Sequence, residues 1–319
     1  MAKGDKKAAA TVKLKRPAAN RRMKPEQYKS FKLSKRIRHP KGKVKSSFRI
    51  FRESFDHLTG QWKLYGGITA IYLLLTLVLV KGLGGGIGLA DIKEVLNETS
   101  GGDGSQLYTG LTLYGLLLGS ASSGVSEGGN VYQTMLTIIF SVVLIWTLRQ
   151  TFAGKKVRIR DGFYKGVYPL IQFILVLCVI GLQFLPLGLA GSLYVIVIQG
   201  GLAVTTTEVV LWLMICFSMS LLTLYWISSS IFALYIVTLP EVTPIPALRA
   251  AKDLVRYRRW EVMRKVLFLP VALFLIAGVI ILPIIIYATS VAEWAFFALS
   301  MFGIVMVHAY IYKLYRELL

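Results

Sequence analysis

The chain has 319 residues, 55% of them apolar and 17% charged, and it still carries a formal net charge of +21. A soluble domain is about a quarter charged, whereas here 18 Lys and Arg stand against Asp5 and Glu26 in the first 50 residues and long later stretches are almost charge-free. This excludes an ordinary soluble globule. Both cysteines, Cys178 and Cys216, lie in apolar runs, which argues against a disulfide framework.

Residues 1–45 come first, a polybasic cytoplasmic tail rich in Lys and Ala and too poor in buriable surface to fold alone; it is expected to be disordered. No short apolar region stands near the N-terminus, and Arg21-Arg22 lies about 40 residues before the first apolar run, so no cleaved signal or twin-arginine export signal is expected.

Residues 46–319 read as one all-α, polytopic six-helix transmembrane domain. A crossing helix needs roughly 20 apolar residues, and six stretches qualify: 64–83, 131–152, 167–187, 209–238, 266–287 and 294–313. The fourth could reach ~45 Å, so it should tilt or project. Leu107–Leu118 is too short to span and suits an interfacial or re-entrant piece, and Leu193–Ile198 prolongs the apolar character after Pro186 and stops at Gly200-Gly201. The glycines Gly82, Gly84, Gly85, Gly86 and Gly88 never satisfy G-x-G-x-x-G and read as a flexible exit turn. Asn97-Glu98-Thr99 matches the glycosylation triplet, a pattern common by chance.

Charge orients these spans. With six crossings, 35 of the 37 basic residues fall on one side, leaving Lys81 and Lys93 opposite with seven acids. Making Leu107–Leu118 a seventh span would put every later basic loop outside, against the positive-inside rule. Both termini should therefore face the cytoplasm, with the chain integral to the cytoplasmic (inner or plasma) membrane.

One arrangement occurs three times: a basic amphipathic helix inside, an interfacial aromatic, a span out, an outer cap and a span back. Phe48, Phe51, Phe55, Leu58 and Trp62 make the first apolar face; Ile159, Phe163 and Val167 the second; Ala247, Ala251, Leu254 and Val255 the third. Trp62, Tyr168 and Trp260 mark where the chain enters the bilayer. Asn130–Gln133, Thr205–Glu208 and Ser290–Glu293 have capping-box spacing at the returning spans. The body thus reads as three helical hairpins, each preceded by a cytoplasmic helix lying on the membrane.

Within this pattern, ISSSIFALYIVTLPEVTPIPALRAAKDLVRYRRWEVMRKVLFLPVALF, residues 227–274, resembles a segment of bacterial six-helix membrane proteins. These include the membrane domain attached to glycerophosphoryl diester phosphodiesterases, in which a span ends, a Pro-containing turn follows, and a basic helix leads into the next span. The resemblance implies a six-helix fold over roughly residues 45–315. There is no room for a phosphodiesterase barrel, so it carries over no catalytic residue.

No paired carboxylates or nucleophile–base set stands at the interface, and no metal-ligand spacing links the Cys and His residues, so a non-enzymatic protein without a cofactor is expected. The preferred reading is a scaffold or lipid-interacting protein. Its partners would be the bilayer and anionic head groups, met by Arg52, Trp62, Arg158, Arg160, Tyr168, Arg249, Lys252, Arg256, Arg259 and Trp260. Contact of the tail with nucleic acid or the ribosome is the lesser alternative for that segment, since Tyr28 and Phe31 are its only rings before Phe48. The alternative for the whole chain is a small-solute transporter using a polar path of Ser218, Thr223 and His308.

Overall fold

The computed structural model describes residues 44–80, 105–123 and 127–319. The basic tail up to residue 43, the glycine cluster at 82–88, the triplet at 97–99, and Lys81 and Lys93 lie outside the described residues.

The architecture is all-α. In chain order the helices are α1 (Ser47–Gly60), α2 (Trp62–Leu79), α3 (Ser105–Ser123), α4 (Glu127–Phe152), α5 (Ile159–Gly166), α6 (Leu170–Gln183), α7 (Leu185–Leu193), α8 (Thr206–Ser230), α9 (Ala233–Val237), α10 (Pro244–Val255), α11 (Arg259–Tyr287) and α12 (Thr289–Leu318). Among the described residues, six helical stretches are long and apolar enough to cross a membrane: Trp62–Leu79, Asn130–Phe152, Leu170–Gln199, Thr206–Val237, Arg259–Tyr287 and Thr289–Leu318. The chain is a multi-pass membrane protein.

Prolines act differently from what their positions in the sequence suggest. Pro186 falls in the first turn of α7, where its missing N–H has no helical acceptor to lose. The third span therefore continues through a π-helical turn, Tyr194–Gln199, and stops only at Gly200 and Gly201, the latter at φ +72°. It is longer than 167–187. Pro283, together with Pro270, lies inside α11 without ending it. Where lipid offers no competing hydrogen bonds, the rest of the helical ladder persists around one missing donor.

The segment Leu107–Leu118 belongs to α3, which lies against the spans. Leu113, Tyr114 and Leu117 bury against Ile281 and Ile285 of α11 and Ala292 of α12. The Tyr114 hydroxyl donates to the Phe274 carbonyl at 2.9 Å. Phe274 precedes the end of α11 by more than three turns, about 20 Å of rise, so α3 packs well along the length of that span rather than at its end. Gly278 leaves room for the tyrosine ring, 3.7 Å from where a Cβ would stand.

Consecutive spans pack in pairs: α2 with α4, α6–α7 with α8, and α11 with α12. The centre is formed by α4 and α12. From Phe140 to Ile145 every residue of α4 is buried, and α12 touches α1, α2, α4 and α11. Such all-round burial is what an apolar helix without a polar face requires. In contrast, α8 keeps most of its apolar surface exposed.

The three short amphipathic helices dock on the end of the bundle that carries the basic loops, each by a narrow strip. For α1 the strip is Ile50, Ser54 and Leu58; Phe48 and Trp62 stay exposed, so the face expected from 3-4 spacing is offset from the one that packs. In α10 it is Ala247, Ala251 and Val255, close to expectation, with Leu254 only half-buried. In α5 the strip is a pair of glycines rather than Ile159, Phe163 and Val167: Gly162 and Gly166 lie against Val143 and Thr147 of α4, and Ile159 covers Gly67 of α2. This G-x-x-x-G spacing brings backbones close, as in membrane helix pairs.

Of the three capping boxes one forms. Thr205 accepts from the Glu208 amide at 3.3 Å while the Glu208 carboxylate accepts from the Thr205 amide at 3.2 Å. Asn130 instead lies inside α4, which starts at Glu127, and α12 begins after Ala288 with no side-chain cap, so the other two spacings are coincidental.

A Cβ at Gly166 would stand 3.1 Å from the Val143 Cα, a backbone atom that cannot give way, whereas one at Gly181 would meet nothing within 4 Å. Gly166→Ala should therefore lose about 1–3 kcal/mol of stability to overpacking, and Gly181→Ala should be neutral or gain up to ~1 kcal/mol of helix propensity. Thermal unfolding of the two purified variants in detergent checks the contrast.

Candidate functional site

Most of the buried polar groups lie towards the basic end of the bundle, where they join elements that are distant in sequence. Arg149, in the last turn of α4, is 5% exposed. Its guanidinium donates to the carbonyls of Thr238 (2.7 Å) and Tyr235 (3.0 Å) and to the Thr238 hydroxyl, at the C-terminal end of α9. Carbonyls there have no helical donor, and a planar fork of N–H groups can satisfy several at once.

About two turns of α4 before Arg149, His308 of α12 bridges two helices. Its Nδ1 lies 3.1 Å from the Tyr235 hydroxyl and its Nε2 3.0 Å from Ser141 Oγ of α4. A neutral imidazole has one donor and one acceptor nitrogen, and each hydroxyl can complement either. Around this the rings of Tyr235, Tyr312 and Tyr315 pack with centroids about 6 Å apart, in the range of favourable aromatic pairs.

A second network holds α1 and α2 to the end of α4. The Thr151 hydroxyl meets the Tyr65 hydroxyl at 2.7 Å and His57 Nε2 at 3.2 Å, and the His57 ring stacks on Phe152 at 3.9 Å. Burial, with Lys313 and Arg316 nearby, holds the His57 pKa below the ordinary imidazole value.

A third network is ionic. Glu53 of α1 receives Lys45 and Lys313 at 3.0 Å each and Arg49 at 3.1 Å, and Lys45 also meets Glu317 at 3.0 Å. Hydrogen bonds from Lys313 and Lys45 bring the Glu53 carboxyl down to about 2, and those from Lys45 to Glu317 and Glu53 raise the Lys45 ammonium. Lys265, buried at the start of α11, donates to the Lys45 carbonyl at 2.6 Å. The chain leading into α1 is thus tied to both ends of the α11–α12 pair.

The residues expected to meet lipid lie on the outside of the three short helices and their junctions. Arg52, Arg158, Arg160, Arg249, Lys252 and Arg256 are exposed, as are Trp62 (67%), Tyr168 (91%) and Trp260 (67%). Arg259 is half-buried, its guanidinium 4.9 Å from the Tyr225 ring centre and bonded to the Tyr225 hydroxyl. They are spread over the basic end, not gathered at one point. Ser218, Thr223 and His308 are not gathered either: Ser218 is exposed, the buried Thr223 hydroxyl donates to the Met219 carbonyl, and His308 is engaged with Ser141 and Tyr235. In the sequence Arg149 stands just before the basic loop that begins at Gly154, at the end of the second apolar run. Its place inside an apolar run, before the run's last turn ends, is the signal that would have marked it as buried.

Among the described residues no group of three or more His, Cys, Asp or Glu could hold a metal ion. No family model matches the chain, and neither the curated proteins nor the solved structures give a match.

Two predictions follow from these networks. Arg149→Met should destabilise the protein by roughly 2–4 kcal/mol, because it removes charged hydrogen bonds and leaves buried carbonyls unpaired, and Arg149→Lys should restore only part of this; chemical unfolding of the detergent-solubilised protein measures both. The pH response should be split along α1. His57 has a lowered pKa, so its contribution is complete above the unfolded value of about 6.5 and declines as pH falls below it, whereas the Glu53 contribution is complete above its ordinary value of 4.5 and is lost only as pH falls from there towards about 2. Hydrogen exchange corrected for intrinsic rates should show the C-terminal turn of α1 loosening near pH 5 while residues 47–53 stay protected, and His57→Phe should remove that acid response.

Proposed function

We propose that this chain is a non-enzymatic membrane scaffold that presents cationic interfacial helices to the anionic head groups of the leaflet it faces. On this reading the basic end, with both termini, lies at the cytoplasmic face, where the positive-inside rule would place it, and the N-terminal tail adds further charge there.

One observation carries the reading. Each short helix buries only a narrow strip on the bundle and leaves an apolar edge and a cationic edge outside. In α1, Ile50, Ser54 and Leu58 pack inward, Phe48 and Phe55 are exposed beside them, and Arg49 and Arg52 lie further round. A helix with one side on protein, one apolar side free and one charged side free is suited to the boundary between acyl chains and water. The transport reading has less support, since Thr223 and His308 have their hydrogen bonds inside the bundle.

In nanodiscs, amide exchange in residues 47–60, 159–166 and 244–255 should slow several-fold when neutral lipid is replaced by acidic lipid, in keeping with about 1 kcal/mol per cation near an anionic surface. High salt should reverse the change. Exchange indifferent to lipid charge would remove the proposal. Solute uptake that is lost in a Ser218→Ala/Thr223→Ala/His308→Ala variant that still folds would favour transport instead.

A further inference from the structure

We infer that a groove of about 540 Å³ between the α1–α2 corner and the α4–α5 loop binds the phosphate head group of an anionic phospholipid. The inference rests on the membrane-surface role proposed above and narrows it to one site.

Two turns far apart in sequence make the groove. At the first, α1 ends at Gly60, where an added Cβ would meet nothing within 4 Å, and α2 begins directly after Gln61. At the second, α4 ends and Gly154 reverses the chain at φ +77°, a conformation L side chains rarely adopt. This second turn brings Lys155 and Lys156 to the same hollow as Trp62 and Lys63. The walls are held at fixed spacing from behind, because Thr151 bonds both His57 of α1 and Tyr65 of α2. Ile159 seated over Gly67 ties the far side of the loop to α2. The site is therefore built before any ligand arrives.

Its chemistry selects an anion. Three lysines line the groove and none of its lining residues is acidic. Lysine ammoniums act as compact point charges with three donors each and suit phosphate oxygens without fixed angular demands. The position selects a lipid. Trp62, 67% exposed with the Lys63 ammonium 5.9 Å from its ring centre, is the kind of residue that settles at head-group level. Leu64, also in the lining, begins a stripe along α2 that continues through the exposed Ile71, Leu74 and Val78 at helical spacing. A phosphate with acyl chains would use the lysines and the stripe together, whereas a free phosphate would use only the lysines.

The test uses the full-length protein in neutral phosphatidylcholine nanodiscs doped with phosphatidylglycerol, with lipid retention read by native mass spectrometry. The parent should retain one phosphatidylglycerol saturably. Lys63→Gln/Lys155→Gln/Lys156→Gln should weaken retention by at least about tenfold, while Lys165→Gln/Arg264→Gln, exposed cations outside the groove, should not. If the triple variant fails to elute as a monodisperse species, Lys156→Glu alone serves in its place. Equal retention by parent and groove variant overturns the site. Displacement of the lipid by millimolar inorganic phosphate or glycerophosphate, with direct binding of that ion, assigns the groove to a soluble phosphate and overturns the lipid assignment. If acidic lipid still slows exchange in the three short helices while the groove variant retains lipid normally, the groove falls and the broader role stands. No response of the parent to acidic lipid removes both.

Discussion

A cation buried in an apolar bundle must find its acceptors inside the protein, and the structure is organised around how Arg149 does so. Its guanidinium closes the end of α9 by taking carbonyls that no helical N–H can reach. That contact joins α4, the most enclosed span, to the buried end of the fourth span, whose longer α8 part is mostly exposed. Water would compete for such bonds at a protein surface. In a medium that offers no alternative partners, the same bonds hold elements together more firmly.

The same constraint explains why polar residues gather at one end. His308, Tyr235, Ser141, Thr151, Tyr65 and His57 are all matched pairwise, and each pair crosses between helices. The ionic cluster of Glu53, Lys45, Lys313 and Glu317 then fastens α1 where these networks end. Towards the other end the contacts are mainly apolar, with α3 packed along α11 and α12 and the Tyr114 hydroxyl bonded to the Phe274 carbonyl of α11. The bundle is therefore cross-linked by polar contacts chiefly on its basic side.

Much of the fold was legible in the sequence, because a span announces itself by length and apolar composition alone. Five of the six spans needed only shifts at their ends; the third needed a longer extension, through Leu193–Ile198. Two of the three capping boxes and the α5 face were misread for a common reason. Spacing says which residues share a face, but not which face meets a neighbour, and Gly162 and Gly166 pack closely because they lack side chains, so hydrophobicity gives no sign of them. The groove was illegible too: Lys63 and the Lys155-Lys156 pair are about 90 residues apart, and only the docking of two turns makes them neighbours.

Amino-acid order alone determined that the chain crosses a membrane and where its long apolar segments lie, since transfer of each segment into lipid depends on its own composition. Tertiary structure alone decided which charges are buried and which exposed. Arg149 and Arg158 read alike as basic residues near one loop, but one caps a helix inside the bundle and the other meets solvent or lipid. The difference lies in what surrounds each side chain, and only packing supplies those surroundings.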